Sequence, residues 1–243
     1  MRSVVAVIFL AAATCASTWA QPAAKHAVQV NNLMTWDRDL PGASSWINIL
    51  STVIKTSSQK DLILGVSLET SLFTETFVSS KGGTQETADA TAGIEVRVCI
   101  DNTTSPNGGA CDGAGGLAGY VSAQPGVVMF DKRRQLLTAK FAGILSACTG
   151  DRDGDGIPNE VPDDCIITAE ELSLLLDTTA AHHFNFVLDD IGVGTHNVKV
   201  QARISITENA SSANARADAK ALVGKGSVAV EEIRLVKGVD ITL

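Results

Sequence analysis

Asp151, Asp153 and Asp155 alternate in the run Asp-Arg-Asp-Gly-Asp-Gly-Ile-Pro-Asn-Glu spanning 151–160, and Gly156 directly follows the third. This spacing suits a hard divalent cation. Calcium takes six to eight oxygens at about 2.3–2.6 Å, and carboxylates at loop positions one, three and five converge on one ion if the chain turns sharply at position six. Glycine turns there most freely. The Ile157 carbonyl falls at position seven. Asn159 falls at nine, where it contributes directly or through water. The expected cofactor is Ca2+. From 151 to 164 six acids stand against one cation, Arg152, so the segment repels itself when no ion is bound.

The segment resembles the calcium loops of thrombospondin type 3 repeats, which share an Asp-x-Asp-Gly-Asp-Gly-Ile-Pro run and a nearby cysteine. It is also similar to dockerin and EF-hand loops, which feed a helix. The resemblance covers about 151–165 only. It implies an acidic ligand at position twelve, where this chain has Pro162. Glu160, Asp163 and Asp164 are the candidates to close the site. Dockerins carry two copies of the loop as separate modules, whereas this loop occurs once and lies between strands.

Other residues with chemical potential read more simply as structure. Gly113-Ala114-Gly115-Gly116-Leu117-Ala118 fits a loose dinucleotide pattern but lacks a preceding strand and a following helix. His182, His183 and His196 look like a cluster. Strand parity, however, sets His196 on the face of Val198 and His183 on the face opposite Phe184. Lys132-Arg133-Arg134 reads as a solvated strand entrance. Neither a Gly-x-Ser-x-Gly nor a His-Glu-x-x-His run occurs. The acidic pairs Asp189-Asp190 and Glu231-Glu232 serve glycoside hydrolysis only if the fold brings two carboxyls together at about 5–10 Å. No catalytic residue is assigned, and the reading leans away from an enzyme.

Strands must position these residues. Leu62, Leu64, Val66 and Leu68 alternate with Ile63, Gly65 and Ser67. The same period of two runs through Ile94–Ile100, Phe184–Leu188 and Val198–Ile206, placing one face on a core and one in water. Further strands are expected at 27–31, 46–56, 71–79, 126–130, 134–143 and 227–237. Asp189–Gly194 reads as a hairpin loop joining 183–188 to 196–206, and 209–221 as a loop or weak helix. This pattern predicts an all-β fold, an antiparallel β-sandwich of jelly-roll or immunoglobulin-like type, with a barrel as the alternative. Two inserts interrupt it. Asp101–Gly126 is a long polar loop. Cys148–Thr179 carries the calcium loop and then a helix, expected over 169–177 from the capping box Thr168-Ala169-Glu170-Glu171.

The first twenty residues read as a secretory signal: Arg2, an apolar run from Val4 to Ala13, then small residues around Ala20. No later stretch supplies the roughly 18 apolar residues of a bilayer span. Residues 21–243 form a single domain, expected to be secreted, at the cell surface or in a periplasm. Beyond Cys15 there are four cysteines, an even number that suits two disulfides in an oxidising compartment. Of three pairings, Cys99–Cys111 with Cys148–Cys165 is favoured, because each flanks one turn-rich segment. The chain is 45% apolar with a net charge of −8, and such an acid excess excludes the basic footprint of a nucleic-acid binder.

Export, disulfides and a calcium loop together predict a secreted calcium-binding β-sandwich with a structural, adhesion or matrix-binding role, whose partners are extracellular glycans or surface proteins. The alternative is a secreted carbohydrate-binding module or glycoside hydrolase. Sugar platforms need exposed tryptophan or tyrosine, so Trp36 and Trp46 discriminate the two readings.

Overall fold

The computed structural model describes residues 25–31, 36–38, 42–80, 83–101, 109–111, 119–141, 144–147 and 166–235. These form strands β1 (His26–Asn31), β2 (Trp36–Arg38), β3 (Gly42–Ala43), β4 (Ile47–Thr56), β5 (Lys60–Ser80), β6 (Gln85–Ile100) and β7 (Gly109–Ala110). The series continues with β8 (Val121–Ser122), β9 (Val128–Lys140), β10 (Ile144–Ala147), β11 (Ile166–Thr168), β12 (Glu170–Ile191), β13 (Gly194–Ala210) and β14 (Ala215–Ile233). No helix occurs among the described residues, and hence none there long and apolar enough to cross a membrane.

Twelve of the strands form two antiparallel sheets packed face to face, a β-sandwich, and β10 and β11 pair separately. One sheet runs β1-β14-β5-β12, with β2 also on β14. The other centres on β13 and β6, with β3 and β4 on the outer side of β13 and β8 and β9 on that of β6. Among the described residues one isolated bridge, Gln124 to Val187, links the second sheet's loop to β12. The turns β4–β5, β5–β6, β12–β13 and β13–β14 all carry the chain from one sheet to the other.

The period of two does the folding work. Along β5 the even-numbered residues Leu62, Leu64, Val66 and Leu68 face inward. They meet Ile94, Val96 and Val98 of β6 and Val198 and Val200 of β13, all at most 2% exposed. Burying such side chains stabilises the fold by about 1.5–3 kcal/mol each. Toward the β5–β6 turn the inward positions mix Leu72 and Val78 with Thr70, Thr74 and Thr76, near the small Ala88, Ala90 and Ala92 of β6 and Ala217 and Ala219 of β14. At Gly226, beside an irregularity in the β14–β5 register, a Cβ would lie 2.5 Å from Leu68 Cδ2 and 3.0 Å from the Ser67 carbonyl oxygen. Only glycine fits.

Four expectations are corrected. Residues 170–177 are not a helix but the start of β12, pairing with β5 from Glu170↔Ser80 onward. Leu172, Leu174 and Leu176 alternate as a strand requires, and a capping box worth about 1 kcal/mol cannot outweigh that long ladder. Second, 183–188 and 196–206 are consecutive but do not pair: β12 lies on β5, and β13 on β4 and β6. Third, 209–221 holds a short turn between β13 and β14 rather than a loop or helix. Fourth, Arg133 lies inside β9, not at a solvated entrance. It donates to the carbonyls of Leu72 (2.8 Å) and Leu176 (3.1 Å) and to Thr178 Oγ1.

The first insert is anchored as expected. Cys99 and Cys111 form a disulfide, and Ala123 N–H donates to the Val98 carbonyl at 2.8 Å. Beneath it the buried Arg97 donates to Gln201 Oε1 at 2.9 Å and to the Cys111 carbonyl.

Candidate functional site

All eight expected calcium ligands (Asp151, Asp153, Asp155, Ile157, Asn159, Glu160, Asp163 and Asp164) lie outside the described residues, as do Cys148 and Cys165. What is described is the frame around them. The chain leaves β9 at Lys140, forms β10, and returns as β11 before entering β12. The short strands pair antiparallel with Ile144↔Thr168, Leu145↔Ile167 and Ala147↔Ile166. The last pair of this ladder is one residue from Cys148 on one side and from Cys165 on the other.

The same end of the sandwich carries a second acidic feature. Glu86, at the start of β6, accepts from Ser212 Oγ at 2.6 Å and Ser211 Oγ at 2.8 Å. These hydroxyls, Ser212 first, hold its carboxyl below the usual glutamate range. With Ser80, Thr84, Ala169 and Asn214 it lines a cavity of about 400 Å3. Further along β6, the Arg134 guanidinium donates to both oxygens of Asp89 and holds its carboxyl below the usual aspartate range.

The histidines do not converge. His183 faces outward, where its Nε2 meets Asn185 Oδ1 at 3.0 Å and its Nδ1 meets Ser67 Oγ at 2.8 Å. An amide oxygen only accepts, so Nε2 is the donor in the contact with Asn185. Gly65 makes room: a Cβ there would lie 2.9 Å from His183 Cε1. His182 faces inward, with Nε2 3.5 Å from Asp131 Oδ2, an oxygen that also accepts from Thr70 Oγ1 at 2.7 Å. His196 is buried and meets the Gly192 carbonyl oxygen at 2.9 Å and Thr56 Oγ1 at 3.2 Å. Among the described residues no three histidines, cysteines or acids are grouped to hold a metal.

Ser67–His183–Asn185 is the polar chain that motif reading missed. Ser67 and His183 are 116 positions apart and meet only because β5 and β12 pair with Ser67 opposite His183. Chemically it is a hydroxyl polarised by an oriented imidazole, set on an open sheet face. Beside Ser67 lies a depression of about 350 Å3 lined by Val30, Glu69, Lys225 and Ser227.

At the opposite end, Asp190 and Glu232 share a cavity of about 770 Å3 with Asp61, Lys25, Lys60 and Arg234. Asp61 is engaged there as a structural acceptor, from the Asp190 amide at 3.0 Å and the Leu235 amide at 2.9 Å.

Trp46 is no sugar platform. It is 7% exposed, with the Arg97 guanidinium 4.3 Å and the Arg203 guanidinium 4.8 Å from its ring centroid. Trp36 sits on β2, opposite Val223.

No protein-family model matches the chain, and no curated protein matches it.

Proposed function

We propose that this chain is an exported, calcium-stabilised β-sandwich with jelly-roll strand order that serves a structural, adhesive or matrix-binding role. The jelly-roll reading rests on the two sheet orders, β1-β14-β5-β12 and β4-β13-β6-β9, through which the chain alternates as two Greek keys do. Export rests on the leader-like first twenty residues and is supported by the Cys99–Cys111 disulfide.

One observation supports the calcium reading beyond its motif: the β10–β11 ladder pairs Ala147 with Ile166, the described residues that flank the acidic segment in the chain. Paired strands hold opposite Cα atoms at about 4.5–5.5 Å, and each cysteine is one residue, about 3.8 Å, further along. The ladder thus favours the Cys148–Cys165 disulfide and shortens the search that Asp151, Asp153 and Asp155 make for a common ion. Calcium offsets the charge of the six acids and ties β9 of one sheet to β12 of the other. The hydroxyl-rich outer face around Ser67, Ser71 and Thr179 suits a polar extracellular partner such as a glycan.

Terbium luminescence and calorimetric titration of the full chain test the site. One ion is expected per chain, displaced by calcium, with binding lost in Asp155→Ala. Absence of binding at millimolar calcium contradicts the reading. A screen of glycans and matrix proteins with and without calcium tests the role, and turnover of any substrate that a single carboxylate substitution abolishes would replace it with an enzymatic one.

A further inference from the structure

Among the described residues, strand β12 carries a ladder on one side, with β5, and a single isolated bridge on the other, at Val187. That bridge reveals the direction of the backbone: the Val187 amide donates to the Gln124 carbonyl, and its own carbonyl accepts from the Gln124 amide. The β12–β5 register is regular from Glu170 to Leu188. Alternate residues therefore share Val187's orientation, and Glu171, Ser173, Leu175, Asp177 and Thr179 all aim amide and carbonyl away from the sheet.

This edge is long and apolar. Residues 171–179 are nine consecutive exposed positions, and Leu172, Leu174, Leu175 and Leu176 are between 42% and 54% exposed. Along 171–179, the side chains of β9 that reach β12 are Gln135, with Nε2 on the Leu174 carbonyl, and Arg133, on the Leu176 carbonyl and Thr178 Oγ1. Edge strands are ordinarily guarded by proline, a bulge, shortness or charge; this stretch has no proline or bulge, and its charges are Glu171 and Asp177.

We propose that the edge of β12 pairs with the same edge of a second copy of this chain, antiparallel about a two-fold axis at Leu175. The sequence is complementary to itself in that register. Leu175 meets its own copy, and Leu174 meets Leu176 twice by symmetry. Glu171 falls opposite Thr179, and Asp177 opposite Ser173, where the serine hydroxyl can donate to the carboxylate. Shifting the axis by one residue to Leu174 sets Glu171 against Asp177 on both sides, and like charges directly opposite are destabilising. The interface is isologous, as closed two-fold dimers require. It fuses the two β1-β14-β5-β12 sheets into one continuous sheet across the dimer.

Light scattering after size exclusion, with sedimentation equilibrium of the full chain, reads the state directly. The native chain should be a dimer at micromolar concentration. Leu175→Pro should halve the apparent mass with the strand circular dichroism unchanged, since the lost N–H points off the sheet. Leu175→Lys and Leu175→Glu should each be monomeric alone and form a mixed dimer when combined. Leu175→Cys should cross-link to its own copy under mild oxidation, and Glu171→Cys should not. A monomeric native chain, a dimer that survives both charged substitutions, or a monomer that binds a basic extended peptide instead each overturns the proposal.

Discussion

Glu86 shows how a single residue records its surroundings. Its carboxylate is stabilised by the Ser212 and Ser211 hydroxyls, so its folded pKa lies below the ordinary value near 4.5. A depressed acid contributes stability that is complete above the unfolded pKa and is lost as pH falls through the folded one. Glu86→Gln should therefore flatten the fall in melting temperature below about pH 4.5 while leaving the neutral-pH slope unchanged. An unchanged acid limb would deny Glu86 this role. Gly226→Ala probes the opposite kind of constraint, sterics. Its Cβ meets a backbone oxygen as well as Leu68, so overpacking should cost about 1–3 kcal/mol in denaturant unfolding. Sequence reading reaches this scale unevenly. The Asp151-Asp153-Asp155 spacing can be read as a motif because it is local in the chain, and it lies outside the described residues. Ser67–His183–Asn185 is not, because its geometry depends on a register set by distant strands.

Among the elements, the strands with large alternating side chains were legible, since Leu62–Leu68 and Val198–Ile206 leave no other way to bury one face. The start of β12 was misread because Leu172, Leu174, Leu175 and Leu176 fit both periods locally, and the pairing with β5 decides between them. The absence of pairing between β12 and β13 was hidden for a related reason: a short connection fixes adjacency in the chain but not the sheet each strand joins. Two substitutions test the element-level account. Phe186→Ala removes a fully buried ring packed edge-on against Phe184 at 5.1 Å between centroids, and should cost about 3–5 kcal/mol. Replacing Cys99 and Cys111 together with serine opens a closure of 12 positions and should cost about 3 kcal/mol, read from the shift in denaturant midpoint. A cost near zero would mean that Arg97 and its neighbours hold the insert without the disulfide.

At the scale of the molecule, the described strands form two packed sheets, and the β10–β11 ladder pairs the residues that flank the acidic segment in the chain. On the proposed reading, calcium bound by that segment would favour the native state by mass action, by about 2.7 kcal/mol at a hundredfold excess over its dissociation constant. For a chain exported as proposed, an affinity near ~10⁻⁴ M would suffice. The central claim is tested most directly by calorimetric melting of the native chain and of Asp155→Ala, each in calcium and in chelator. The account predicts that chelation lowers the melting temperature of the native chain, that Asp155→Ala melts alike in both, and that the strand signal in circular dichroism is the same throughout. Identical melting of the native chain with calcium and with chelator would contradict it.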